Sequence, residues 1–355
     1  MTDLTVPVHD DWAQYSRVIL EQVPRPRPTP EIGIQVHALW ESYWAAGEPT
    51  PQLLAILDSI AALGIRHIRI DFGWSAAQPT VEWEPVTNYY CKRFERLLTE
   101  AASRNLGVLA TIQQSPAWAR PGTGSSTKQY PTDLTAWQTF LTNMDTRWGH
   151  RVDGWQIWNE PNISAFTGLT DRYARADKYA AVLQKAAQLT APVIFGGPSQ
   201  TDGQFIDDLY WRNTKPNFDI MSWHPYLGDQ SKSPLSTDLY DKSRPTFMPS
   251  VLEHMAYHRD GLRAIWWTEV GVSVHSNDGI TNAWEKGQPT DAAATTSIAE
   301  YIALAQSYRQ VERVYLYAAH IPNPPNLHMA GYSLLKDDGT PKAQLLWVSE
   351  FLGGL

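Results

Sequence analysis

The chain has 355 residues, 43% hydrophobic and 19% charged, with a formal net charge of −8; this is the profile of a soluble globular protein whose core needs no staples. The acidic balance repels phosphate backbones, so nucleic acid is excluded as a partner. Cys91 is the only cysteine, which excludes an intrachain disulfide, and no apolar run reaches the ~18 residues a membrane span requires.

The first twenty residues, MTDLTVPVHDDWAQYSRVIL, are acidic and lack the basic-then-apolar order of a signal peptide. That leaves a cytoplasmic protein or a secreted one without its leader. Residues 1–30 end in EQVPRPRPTP, which reads as an extended arm packed on the body. Residues 31–355 then alternate regularly. Short apolar, β-branched runs occur at EIGIQVH (31–37), GIRHIRIDF (64–72), LGVLATI (106–112), VDGWQIW (152–158), APVIFGG (191–197), FDIMSWH (218–224), LRAIWWTE (262–269) and VERVYLY (311–317). Each has the length and bounding residues of a buried strand.

Helical periodicity fills the gaps. Phe94, Leu97, Leu98, Ala101 and Ala102 share one face, as do Trp137, Phe140, Leu141, Met144 and Trp148, and Tyr179, Val182, Leu183, Ala186 and Ala187. Strands alternating with helices imply a parallel sheet, because parallel neighbours need long crossovers. Eight such units predict a single closed (β/α)8 TIM barrel. A doubly wound open sheet is the alternative, but no strand is followed by the glycine pattern of a dinucleotide site. GTGSS at 122–126 lacks the lysine of a phosphate cradle and reads as a flexible lid.

A barrel places catalytic groups just past the C-terminal ends of its strands. His37, Arg69, Asp71, Asn159, Glu160, His224, Tyr226 and Glu269 all fall there. Glu160 closes the fourth run and Glu269 the seventh, on opposing arcs, so the two carboxylates can converge across the mouth. One protonated and one ionised carboxyl group is what glycosidic cleavage requires. Singly, either glutamate reads better as a solvated loop acid; the matched positions favour chemistry. Sixteen tryptophans and sixteen tyrosines fit either an aromatic core or stacking on sugar rings.

The motifs NEPN (159–162), HPY (224–226) and TE (268–269) resemble the signatures of clan A glycoside hydrolases. WNEPN followed by FGGPS (195–199) and SWHPY is most similar to family 39, whose members include β-xylosidases, α-iduronidases and bacterial endoglycosidases. The similarity runs over most of 31–345 and includes YSLLKDDGTPKAQ (332–344), where Asp338-Gly339 suits the tight turn of a terminal hairpin.

That resemblance implies a retaining glycoside hydrolase that uses two glutamates, expected ~5–5.5 Å apart, acts on an oligo- or polysaccharide and needs no cofactor or metal. Glu160 would be the acid/base, its pKa lifted by Trp155 or Trp158 and by the second carboxylate. Glu269 would be the nucleophile, kept ionised by Arg69 and the Tyr226 hydroxyl. Asn159 would bind the sugar 2-hydroxyl, and His224 and His37 would bind hydroxyls or orient the acids. Trp74, Trp118 and Trp284 are candidate stacking platforms, equally readable as loop-anchoring core aromatics.

The chain departs from the family where TEVGVS replaces an aromatic and asparagine after the nucleophile. YLYAAH also offers Tyr317 and His320 where tryptophan commonly ends the eighth strand. A lone barrel fits endo-acting members better than the β-xylosidases, which carry an appended β-domain. Endo against exo action depends on 120–130, 228–244 and 275–290. An exo-acting β-glycosidase and a glycan-binding pseudoenzyme stay open as alternatives. A phosphate-binding metabolic barrel does not fit, because GVSVHSNDG and AAHIPNPPN lack its glycine-rich loop. The histidine pair of HMAYH (254–258) has metal-ligand spacing without the HExxH pattern and reads as surface or packing histidines.

Overall fold

The computed structural model describes residues 29–120, 126–235, 248–275 and 287–353. Within them eight parallel strands form one sheet: β1 Glu31–Gln35, β2 His67–Gly73, β3 Gly107–Gln113, β4 Gly154–Ile157, β5 Val193–Ile194, β6 Met221–Trp223, β7 Ile265–Val270 and β8 Val311–Leu316. Neighbours in sequence pair from β1 to β5 and from β6 to β8, and β8 pairs β1 with Glu31 opposite Arg313. Between β5 and β6 an Ile194–Ile220 bridge joins the edges, with Asp219 N–H donating to Val193 O at 2.8 Å and Phe195 N–H to Ile220 O at 2.9 Å. The sheet therefore closes on itself, as the eight apolar runs predict, and a separate two-stranded hairpin pairs Trp44–Ala45 with Glu48–Pro49.

A helix follows each strand before the next: Pro51–Ala62, Tyr89–Ser103, Leu134–Trp148, Arg172–Gln184, Gly203–Tyr210, Met248–Tyr257, Asp291–Ser307 and Ala343–Phe351. Several begin where a short polar side chain accepts from an otherwise unpaired N–H of the first turn. Asn88 receives Cys91 N–H at 2.9 Å, Asp171 receives Ala174 N–H at 2.7 Å, and Asp133 receives both Thr135 and Ala136. The three sequence-derived helical faces are buried except at two C-terminal ends, where Ala102 and Ala187 are exposed; the third helix ends at Gln184, so Ala186 and Ala187 lie beyond it.

The barrel interior is layered. Leu109, Ile194, Trp266 and Tyr315, from β3, β5, β7 and β8, make a separate apolar cluster. Polar side chains meet in another part of the interior: Gln35, Arg69, Thr111, Gln156, Ser222 and Thr268, from six different strands, are all fully buried and hydrogen-bonded to one another. A buried polar layer is stable only when every donor finds an acceptor, so this one is rigid. The terminal hairpin is present as predicted: Lys336 N–H donates to Thr340 O at 2.9 Å, and Gly339 turns the chain with a φ of +83°.

Several sequence-derived features fall wholly or partly outside the described residues: most of the arm 1–30, the lid at 122–126 except Ser126, Trp284, and much of the segments 228–244 and 275–290 on which endo against exo action is expected to depend.

Candidate active site

Arg69 is the centre from which the site is built. Its guanidinium has no exposed surface and can only donate. Nε donates to Gln156 Oε1, Nη1 to Gln35 Oε1 and Glu269 Oε1, and Nη2 to Asn159 Oδ1, each at 2.7 Å. Those contacts fix the orientation of three amides. With its oxygen held by Arg69, Asn159 turns its NH2 group away from the guanidinium, without a hydrogen-bond partner among the described residues. A fixed donor of that kind suits a sugar hydroxyl.

Glu269, in β7, receives Arg69 on one oxygen and the Tyr226 hydroxyl on the other, the latter at 3.0 Å. Burial and the Glu269 charge hold the Tyr226 phenol well above its ordinary range, so it stays a donor to that carboxylate. Glu160 sits just past β4, where Trp158 and Glu160 adopt left-handed φ values of +72° and +43°. Such values are sparsely populated for residues with a Cβ and recur where function over-determines the backbone. The turn is braced from the next strand: Glu160 N–H donates to Gly196 O at 3.0 Å, and Asn162 both donates to Ser199 O and accepts Ser199 N–H. NEPN and FGGPS are thus two halves of one support.

Burial pushes the Glu160 carboxyl up to about 7, against the opposing pull of the Ser199 hydroxyl, Arg69 and Lys128. The direction matches the sequence expectation; the cause differs. Trp155 points into the helical layer, where Nε1 donates to Asp145 Oδ1 at 3.0 Å. Trp158 packs on Tyr130 and Trp137. Burial dominates, and the Glu269 charge does not contribute to the shift.

His224 lies between the acids. Nδ1 is 3.0 Å from Glu160 Oε1 and 3.7 Å from Glu269 Oε2, and Nε2 is 3.1 Å from Thr268 Oγ1. Burial lowers its pKa to about 4 despite the nearby Glu269 charge, so the ring is neutral at pH 7 and these are hydrogen bonds, not ion pairs. Ligand atoms of Glu160, His224 and Glu269 lie within 4.8 Å of one another. This trio offers donors for a cation, but Arg69 already supplies positive charge to Glu269 and both Glu269 oxygens are taken. The arrangement suits a proton and a carbohydrate better than a metal. The HMAYH pair lies elsewhere: His254 and His258 both face Asp207 Oδ1, at 3.4 and 2.6 Å. Both thus pair with Asp207 of the helix Gly203–Tyr210, away from the strand ends.

Beside the carboxylates, Asp71 accepts from His37 Nδ1 at 3.1 Å, Gln35 at 3.1 Å and Gln113 at 3.2 Å. Burial opposes its ionisation, yet the His37 hydrogen bond and the His37 and Arg69 charges hold its pKa below the usual range. His37 Nε2 is buried with no partner among the described residues, and its ring stacks on Trp40 at 4.3 Å. Tyr317 is half-buried, edge-on to His37 at 5.7 Å and to Tyr332 at 5.4 Å. The peptide Tyr317–Ala318 is cis.

Trp74 is a correction. It has no exposed surface, stacks on Phe140 at 5.1 Å and donates Nε1 to Gln78 Oε1. It anchors the loop after β2 in the core and presents no face to a sugar. Trp118 packs edge-on against it, half-buried, with Nε1 donating to Gln78 O at 3.2 Å. Residues that sequence reasoning missed are Trp40, Gln35, Gln156, Thr268 and Ser199. For Gln35, Gln156 and Thr268 the available signal was a polar residue inside an apolar strand run, on the inward side of the period-two alternation; Trp40 and Ser199 lie outside the strands.

No family model matches the chain, and no curated protein does. Solved structures do. A family 39 glycoside hydrolase from the gut symbiont Bacteroides cellulosilyticus superposes with a TM-score of 0.60 at 17% identity, covering 91% of this chain and 64% of that one. A GH30 endoxylanase from Clostridium papyrosolvens gives 0.61 at 11% identity, covering 91% and 72%. One of two fungal β-1,4-galactanases gives 0.61 at 15% identity, covering 91% of this chain and 100% of its own. The chain thus spans less than two thirds of the family 39 enzyme's length. At these identities the likeness establishes a common (β/α)8 TIM-barrel fold, and the neighbours are glycoside hydrolases.

Proposed function

We propose that the protein is a retaining glycoside hydrolase of the clan A type, with Glu160 as acid/base and Glu269 as nucleophile. One observation carries the reading: two buried carboxylates in mutual reach are set in opposite electrostatic surroundings. Glu160 is desolvated toward the protonated form, and Glu269 is gripped by a guanidinium and a phenol. Oxygen atoms of the two lie within 4.8 Å. Retaining enzymes hold their carboxyl groups roughly 5–5.5 Å apart, whereas inverting ones need about 6.5–9.5 Å to admit a water.

In the first half-reaction a Glu269 oxygen bonds to the anomeric carbon as the C1–O bond breaks, and Glu160 gives its proton to the leaving oxygen. In the second, water bonds to the same carbon, Glu160 takes the water's proton and Glu269 leaves. Asn159 NH2 supports the 2-hydroxyl, and the unpartnered His37 Nε2 and the Asp71 carboxylate bind further hydroxyls of the same sugar. Trp40, 42% exposed, extends aromatic surface outward from His37. This supports binding of more than one sugar and hence endo action on an oligo- or polysaccharide.

A panel of aryl glycosides and polysaccharides tests this, with NMR of the first-formed product. Retained configuration and loss of turnover in Glu269→Gln are expected. An inverted first product overturns the double displacement. Binding without turnover across the panel favours a glycan-binding protein on the same barrel.

A further inference from the structure

We propose that Gln156 and Thr268, ordered by Arg69, are positioning residues that lock His224 in its Nδ1–H tautomer and so reserve the second oxygen of Glu160 for the catalytic proton. The inference rests on the acid/base reading of Glu160.

The chain of assignments leaves one solution. Arg69 Nε only donates, so Gln156 presents its oxygen there, at 2.7 Å, and Thr111 Oγ1 donates to the same oxygen at 2.8 Å. The Gln156 NH2 group must then face the other way. It donates to Thr268 Oγ1 at 2.8 Å, with Phe195 O and Ser222 Oγ at 3.1 Å. Thr268 Oγ1 therefore accepts from Gln156 and has one proton to give. Among the described residues its only acceptor is His224 Nε2, at 3.1 Å. In a neutral imidazole, one nitrogen accepting means that the other carries the hydrogen. Nδ1–H then donates to Glu160 Oε1 at 3.0 Å.

The packing excludes alternatives. A Cβ on Gly197 would lie 2.4 Å from His224 Nε2, 2.8 Å from Gln156 Nε2 and 2.9 Å from Thr268 Oγ1. The backbone is thus pressed against all three groups, leaving no space for a water to reverse the donor order. The charged and titratable groups facing the ring are Glu160, Glu269, Arg69, Asp71 and Tyr226, the last edge-on at 6.4 Å.

The consequence is directional. With the opposite tautomer Nδ1 would be a lone pair aimed at Glu160, accepting a hydrogen bond that holds the carboxyl proton on Oε1, away from the leaving group. With Nδ1–H, Oε1 is occupied as an acceptor in both protonation states of Glu160. The proton departs from Oε2 in glycosylation and returns to Oε2 from water in deglycosylation.

The test uses the whole chain labelled with 15N-histidine, the His224 signals being assigned by their loss in His224→Gln. Long-range 1H–15N spectra between pH 6 and 8 should show a protonated Nδ1 and an unprotonated Nε2. A protonated Nε2 in the wild type overturns the proposal. Thr268→Val, which keeps the shape and removes the hydroxyl, should give a mixed or reversed tautomer. It should also lower kcat about tenfold or more for aryl glycosides with poor leaving groups, while dinitrophenyl glycosides are spared. Thr268→Ser should restore both. A Thr268→Val spectrum identical to wild type, or Thr268→Ser as impaired as valine, refutes the relay. If wild type turns over no glycoside, the acid/base reading fails, and the spectrum still decides the tautomer.

Discussion

Glu160→Gln measures what hiding the acid costs the fold. Burial holds its proton up to about 7, against an ordinary 4.5. Because the folded value is the raised one, folded protein binds more protons than unfolded protein across that interval. The associated stability is complete below pH 4.5 and is lost as pH rises through 7. Each tenfold step is about 1.4 kcal/mol, so the interval from 4.5 to about 7 amounts to about 3 kcal/mol. Glutamine keeps the side-chain shape and never ionises. Urea unfolding of both proteins from pH 4.5 to 8.5 should give nearly equal stabilities at the acid end. The advantage of the variant should then grow by about 1.4 kcal/mol per pH unit and level off near 3 above pH 7. A difference independent of pH would refute the desolvation account of Glu160. A difference that shrinks with pH would reverse its sign.

The sequence disclosed the barrel because each strand run is bounded by turn residues and followed by a helical face. Both signals are local. It also singled out Glu160 and Glu269, the pair proposed here as catalytic, since catalytic positions of a barrel are strand ends and strand ends are countable. What stayed hidden was the support. Gln156 and Thr268 sit within runs that read as buried strand, and nothing local says that two such side chains, 112 positions apart in sequence, share a proton. Trp74 was misread for a related reason. A tryptophan opening a loop after a strand looks the same in sequence whether its ring faces the cleft or the helices, and here Phe140 takes it inward. Trp40 was overlooked because its role depends on a stack with His37 three residues earlier. Direction, not residue type, was the missing quantity.

The two tryptophans should separate by assay. Trp74→Ala should lower stability by about 3–5 kcal/mol through a core cavity, with KM unchanged in the protein that remains folded. Trp40→Ala should leave the urea midpoint near wild type and raise KM on a polymeric glycan; no change in KM would remove Trp40 from the cleft. Arg69 gives the sharpest case for geometry over charge. Arg69→Lys keeps the cation, but one ammonium on a flexible stem cannot reach acceptors that Nε, Nη1 and Nη2 now meet from three directions. The change frees the amides of Gln35, Gln156 and Asn159 and loosens Glu269 together. Losing even one charge-assisted hydrogen bond costs about 1.5–3 kcal/mol. Arg69→Lys should therefore lose about 3 kcal/mol or more of stability in urea, and its kcat should fall even on activated aryl glycosides, because Glu269, the proposed nucleophile, is itself misplaced. If lysine sustains wild-type kcat and stability, positive charge alone suffices at the centre of the barrel, and the guanidinium does not set the amide orientations on which the tautomer of His224 depends.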